Sequence, residues 1–190
     1  MKQDIILAGV GGQGILSIAF VIDNAALKEG YSFKQAEVHG MAQRGGAVQS
    51  HLRISDNKIF SDLIPKGETD LILSVEPMEA LRYFDFLHPE GTIVTSSNPY
   101  VNIPEYPDLQ DILERVKNEL HVVLVDSDAL AKEAGSSKAQ NMVMLGAASR
   151  FLKLKETSLL EFIKALFQPK GDNMVATNVR AFELGRDAAV

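Results

Sequence analysis

Two stretches of this 190-residue chain concentrate residues able to do chemistry on an anion. The first, Gly9-Val10-Gly11-Gly12-Gln13-Gly14, fits the spacing G-x-G-x-x-G between an apolar run and a helical pattern. Glycines let a backbone come close to a phosphate, and the free amides that open a helix favour negative charge. Gly11, Gly12, Gln13 and Gly14 are therefore candidates to hold the anionic group of a cofactor or coenzyme. The same glycines would equally serve a tight strand-to-helix turn with no ligand. Bound NAD(P) or FAD would also want an acidic residue about 20 positions on, at the end of a second strand, to hold ribose hydroxyls. Glu37 is the only nearby candidate, and it runs straight into His39-Gly40. The second stretch, Glu37 to Gly46, sets Glu37, His39, Gln43 and Arg44 among three glycines. Arg44 offers a planar fork suited to carboxylate or phosphate, and Gln43 can orient a polar group. A solvated turn with both side chains in water is the competing reading.

Other chemistries find little support. The chain has no cysteine, so iron-sulfur clusters and thiolate zinc sites have no ligands here. His39, His51, His88 and His121 are scattered without a metal-binding spacing, and no metal is expected. His51 and His121 read as structural histidines, and Met142 and Met144 as packing residues. Asp126-Ser127-Asp128 stands between a strand and a helix, where capping explains it better than a site. No nucleophile turn of the form Gly-x-Ser-x-Gly occurs. The net charge of −6, with no stripe of Lys and Arg, argues against nucleic acid. The longest apolar stretch, Ile15 to Ile22, falls far short of the roughly 20 residues of a membrane span. No secretory signal is recognisable at the start, so a soluble cytoplasmic protein is expected.

The elements that must carry these stretches follow from periodicity. Asp4 to Ala8 reads as a strand, Ile15 to Glu29 as a helix closed by Gly30, and Tyr31 to Val38 as a second strand. Alternation of Val48, Leu52 and Ile54 with Gln49, His51 and Arg53 marks a half-buried strand. Asp56-Asn57 suggests a turn into a short strand around Ile59 and Phe60. Leu71 to Val75, Thr92 to Thr95 and Val122 to Val125 read as further strands, with helices over Met78 to Leu87 and Leu109 to Leu120. The second of these helices turns Ile112, Leu113, Val116 and Leu120 to one side. Asn98 to Pro107 carries three prolines and is expected to be a surface loop, and everything from Ala129 onward reads as helix. The whole predicts one α/β domain over residues 1–190. It would be Rossmann-like and three-layered, with a mostly parallel sheet, a hairpin over 47–60 and a helical C-terminal third.

Gly-Val-Gly-Gly-Gln-Gly, followed some 25 residues later by Glu-Val-His-Gly-Met-Ala-Gln-Arg-Gly-Gly-Ala-Val, resembles the gamma-type domain of 2-oxoacid:ferredoxin oxidoreductases. The second stretch is similar to the beta subunits of the indolepyruvate type in particular. The likeness continues through Asn141-Met142-Val143-Met144-Leu145-Gly146-Ala147 and Asn178 to Gly185. It implies a subunit that carries no cofactor itself and docks on a larger chain holding thiamine diphosphate, magnesium and iron-sulfur clusters. Such a complex turns an indolepyruvate or other aryl-pyruvate 2-oxoacid and coenzyme A into acyl-CoA, carbon dioxide and reduced ferredoxin. It also implies that Gly11, Gly12, Gln13 and Gly14 meet an anion, coenzyme A being one possibility, and that His39, Gln43, Arg44 and Gly45 lie by the shared site. Gly171-Asp172-Asn173 does not supply the Gly-Asp-Gly that a diphosphate site needs. The rivals are a free-standing NAD(P)-binding oxidoreductase and a purely structural subunit.

Overall fold

The computed structural model describes residues 1–39, 45–119 and 121–189, with backbone only at His39. Its first strand, β1 (Lys2–Val10), is buried from Gln3 to Val10 because it runs through the middle of a sheet covered on both faces. The glycine turn leads into α1 (Ile15–Lys28), and β2 (Ser32–His39) and β3 (Ala47–Ser55) follow. Strands and helices then alternate as β4 (Thr69–Ser74), α2 (Pro77–Leu81), β5 (Leu87–Ser96), α3 (Leu109–Lys117) and β6 (Val122–Val125). The last third is helical: α4 (Ser127–Glu133), α5 (Gln140–Ala148), α6 (Glu156–Phe167) and α7 (Asp172–Ala188).

The six strands lie in the order β2-β3-β1-β4-β5-β6. The pairs β1–β4, β4–β5 and β5–β6 are parallel, and β3 is antiparallel to both β1 and β2. Alternation sends Ile5, Leu7, Leu52, Leu71 and Leu73 to the larger core, under α1 and α5 to α7. Ile6, Ala8, Ile72 and Ile93 face the smaller core with Ile64, Ala80 and Tyr83. No helix among the described residues is long and apolar enough to cross a membrane.

The α/β fold and its helical last third match expectation, while three local readings need correction. Residues 57–60 form no strand: β3 is already flanked by β1 and β2, so a segment leaving it has no edge to pair with. Arg53, in a bidentate pair with buried Asp4, instead donates to the carbonyls of Ser61 and Leu63 at 3.2 and 3.1 Å and holds this stretch against the sheet. The helix expected to reach Leu87 stops at Leu81. A 3-10 turn over Phe84–Phe86 follows, and Tyr83 enters the smaller core. The strand expected at Thr92 begins at Leu87, with a register shift between Thr69 and Leu71 on its neighbour that accommodates the exposed stretch containing Pro89. Helix α3 ends at Lys117, with Ile112 and Val116 buried, and Leu120 lies outside the described residues.

Candidate active-site edge

The parallel strands all end on one edge of the sheet, where an open α/β sheet presents its ligand crevice. At the end of β1 the chain turns with Gly12 at φ +105° and Gly14 at φ +80°. Both are left-handed values that disfavour a side chain. A Cβ on Gly14 would also lie 2.4 Å from Nδ2 of Asn141, whose amide donates to the Gly14 carbonyl at 3.3 Å. Among the described residues nothing lies within 4 Å of a Cβ built on Gly12. Among the described residues no side chain caps α1, and no acid stands in its first turn, so nothing described there offsets the positive end of the helix. Gly11, Gly12 and Gly14, with Val10, Ile15, Leu16 and Val48, line a cavity of about 320 Å³.

Gln13 points the other way. Its Oε1 accepts from the Val10 amide at 2.8 Å and its Nε2 reaches the Val75 carbonyl at 3.4 Å, so the side chain ties the turn to the end of β4.

The two chemical stretches meet. Gly11 donates to the Gly46 carbonyl at 2.8 Å, and Gly45, at φ +79°, donates to the Gly11 carbonyl at 3.3 Å. These bonds extend the β1–β3 ladder into the turn. His39 ends β2 opposite Val48, one strand further out. Gln43 and Arg44 lie outside the described residues. Glu37 belongs to β2, and β3 stands between β2 and β1. The acid that would hold a ribose is thus two strand spacings, about 10 Å, from the strand bearing the glycine turn. A dinucleotide site has no such insertion.

Several polar residues at this edge escape a reading by motif. Glu76, fully buried past the end of β4, accepts at Oε2 from the Glu79 amide at 2.8 Å. Its Oε1 accepts from the Tyr100 amide at 3.4 Å and from the Tyr106 hydroxyl. Burial first, then the bond to Glu76, raises the Tyr106 phenol well above the ordinary tyrosine range, so it stays a donor. Burial likewise raises the Glu79 carboxyl, against the opposing pull of Arg82 at 3.0 Å. Asn102 donates to the Gly45 carbonyl at 2.6 Å. Ser96, Asn98 and Ser127 close a small hydroxyl–amide network at the ends of β5 and β6. Asp126 caps α4 through the Ala129 amide at 3.0 Å, as its position suggested. Asn141 alone among these lay in a stretch singled out by resemblance.

His51 accepts at Nδ1 from the Ile64 amide at 3.1 Å, and burial, then Arg53, lowers its pKa. It is a structural residue held neutral, as expected. His121 is exposed at the start of β6. Met142 and Met144 are fully buried in the larger core. Among the described residues no group of three or more His, Asp or Glu is placed to hold a metal ion.

At this edge a glycine turn at the end of the central strand of an α/β sheet is hydrogen-bonded to a second glycine-bearing stretch, at Gly45 and Gly46. The chain belongs to the pyruvate ferredoxin/flavodoxin oxidoreductase family, whose model matches residues 4–188. It is 37% identical over 200 residues to an indolepyruvate oxidoreductase subunit IorB of Thermococcus kodakarensis, covering 100% of this chain and 97% of that one. The fold superposes, with a TM-score of 0.72 and 22% identity, on the gamma subunit of a keto/oxoacid ferredoxin oxidoreductase from Geobacter sulfurreducens, covering 98% of each chain. It also superposes, with a TM-score of 0.80 and 24% identity, on a 2-oxoglutarate:ferredoxin oxidoreductase chain from Magnetococcus marinus. This chain spans 31% of that longer one.

Proposed function

We propose that this chain is the small subunit of a thiamine-dependent 2-oxoacid:ferredoxin oxidoreductase of the indolepyruvate type, and that its glycine edge holds an anionic group at the junction with a larger subunit. The observation that carries the reading is the pair of hydrogen bonds joining Gly11 to Gly45 and Gly46, which makes one surface of two stretches far apart in sequence. The likeness to IorB subunits over the full length favours an aryl pyruvate such as indolepyruvate as the 2-oxoacid. The larger partner would supply the cysteine ligands of the iron-sulfur clusters, since this chain has no cysteine, together with thiamine diphosphate and magnesium. Bound on that partner, thiamine diphosphate would supply the carbanion chemistry for decarboxylation of a 2-oxoacid, and the clusters would supply a path for electrons to ferredoxin. On this chain, Gly12 and Gly14 lend backbone and the end of α1 its positive potential, Gln13 fixes the turn, and His39, Gln43, Arg44 and Gly45 border the shared site. Coenzyme A, through its phosphates, is the anion that best matches such a turn. The inserted β3 argues against the rival of a free-standing NAD(P) enzyme.

The test is Arg44→Ala in the complex reassembled with its large subunit. Hydrogen bonds to charged groups contribute roughly 1.5 to 3 kcal/mol, so catalytic efficiency should fall about tenfold to a hundredfold while assembly by gel filtration is unchanged. Arg44→Lys should recover only part of the loss, because a point charge cannot replace a planar fork. Kinetics with coenzyme A and 2-oxoacid varied separately would identify the anion held. Full activity in Arg44→Ala would remove the role assigned to this loop. The NAD(P) rival has its own check: titration calorimetry of the isolated chain with NAD(H) should give no binding heat, and micromolar affinity would favour that rival.

A further inference from the structure

Residues 97–107 cross the edge of the sheet between the ends of β5 and α3, and they lack apolar anchors of their own. Tyr100, Val101 and Ile103 are 43%, 68% and 40% exposed, so the segment buries few of its own side chains. Pro99, Pro104 and Pro107 remove backbone donors. Past Asn98, its hydrogen bonds to the rest of the chain among the described residues run to two acceptors. The Tyr100 amide and Tyr106 hydroxyl reach Glu76, and Asn102 reaches the Gly45 carbonyl. Glu76 is fully buried and takes three donors from two different places, which a helix cap alone does not need. Its second oxygen is spent on the segment.

We propose that Glu76 is a positioning residue for the anion site: through the 97–107 segment and Asn102 it sets the place of Gly45, and through Gly45 the place of Gly11. The bonds run in series, from the Glu76 carboxylate to Tyr100 and Tyr106, from Asn102 to the Gly45 carbonyl, and from the Gly45 amide to the Gly11 carbonyl. Glu76 touches no ligand in this scheme. The proposal rests on the reading of the glycine turn as an anion site.

The test uses Tyr106→Phe and Asn102→Ala, which alter a surface segment and spare the core, alongside Glu76→Gln and Glu76→Ala. Amide exchange on the full chain should quicken in residues 97–107 and at Gly45 for Tyr106→Phe. In the reassembled complex each segment variant should raise KM for coenzyme A by about threefold to tenfold, the range of one typical hydrogen bond felt at the site, with kcat within about twofold. Because the contacts act in series, the double variant should be little worse than the worse single one. Glu76→Gln, which keeps one acceptor oxygen, should fall between wild type and Glu76→Ala. Unchanged exchange at Gly45 in Tyr106→Phe, or additive effects in the double variant, would overturn the role given to Glu76. Quickened exchange with KM for every substrate unmoved would instead overturn the anion reading of the turn.

Discussion

Gly146→Ala should unfold the chain or cost it most of its stability. Helices α5 and α7 touch backbone to backbone at two glycines. A Cβ on Gly146 would sit 1.9 Å from the carbonyl oxygen of Phe182, and one on Gly185 the same 1.9 Å from that of Val143. Real contacts of this kind lie beyond 3 Å, and neither carbonyl can rotate away within a helix. The helices would have to separate, unpacking the fully buried Phe182, Met142 and Val143. Alanine is intrinsically better than glycine in a helix by about 1 kcal/mol, so any loss measured here comes from the contact alone. Overpacking ordinarily costs about 1–3 kcal/mol, and a backbone clash at a helix crossing should exceed that range. Gly30→Ala makes the comparison: Gly30 has φ +83° with nothing within 4 Å, and strain alone should cost it about 1–3 kcal/mol. Urea unfolding of the two variants separates the mechanisms. A midpoint for Gly146→Ala at or above that of wild type would mean that α5 and α7 do not cross as described.

Asp23→Asn should stabilise the protein at alkaline pH and leave it unchanged in acid. Asp23 lies on α1, 7% exposed, and its buried Oδ1 has no hydrogen-bond partner among the described residues. Burial raises its pKa from 3.8 to about 7. The folded chain therefore holds this proton more tightly than the unfolded chain does. Below the unfolded pKa both states are protonated and stability is at its fullest with respect to this group. Between 3.8 and about 7 the unfolded state alone ionises and stability falls; above about 7 the loss is complete. At about 1.4 kcal/mol per unit the loss is on the order of 4 kcal/mol at most. An amide has no charge to desolvate and buries a polar group much as the protonated carboxyl does, so at most that whole loss should be regained, which for a chain of this size is up to about 8–16 °C in Tm near pH 8. The gain should vanish near pH 4. Equal shifts of Tm at both pH values would show that the carboxyl does not titrate across folding.

These two sites also mark what periodicity could reach. The strand Val122–Val125 was legible to the residue because a short apolar run bounded by polar residues leaves few alternatives. The glycine turn was legible because G-x-G-x-x-G sat between unmistakable strand and helix patterns. The insertion of β3 beside β1 was not, since strand order is a property of the sheet and leaves no trace in local alternation. Asn141 to Ala147 and Asn178 to Gly185 were picked out by resemblance only. Their meaning, a glycine-to-backbone crossing, needed three dimensions. Glu76, Asn102 and Tyr106 lie in or against an aperiodic stretch, where residue types say little about partners 24 to 57 positions away.

The setting of β3 between β2 and β1 also decides the order in which the sheet can be built. His39 meets Val48 only a few positions along the chain, whereas Ile5 must find the far more distant Leu71. The entropy lost in closing a loop grows with its length, so the β2–β3 hairpin can close on its own before β1 has any partner. β1 leaves the ribosome ahead of both strands that flank it, and its apolar run must wait, unpaired, until they have emerged. The strand made early is the one seated late, and the glycine turn at its end takes its shape only when the sheet shuts around it.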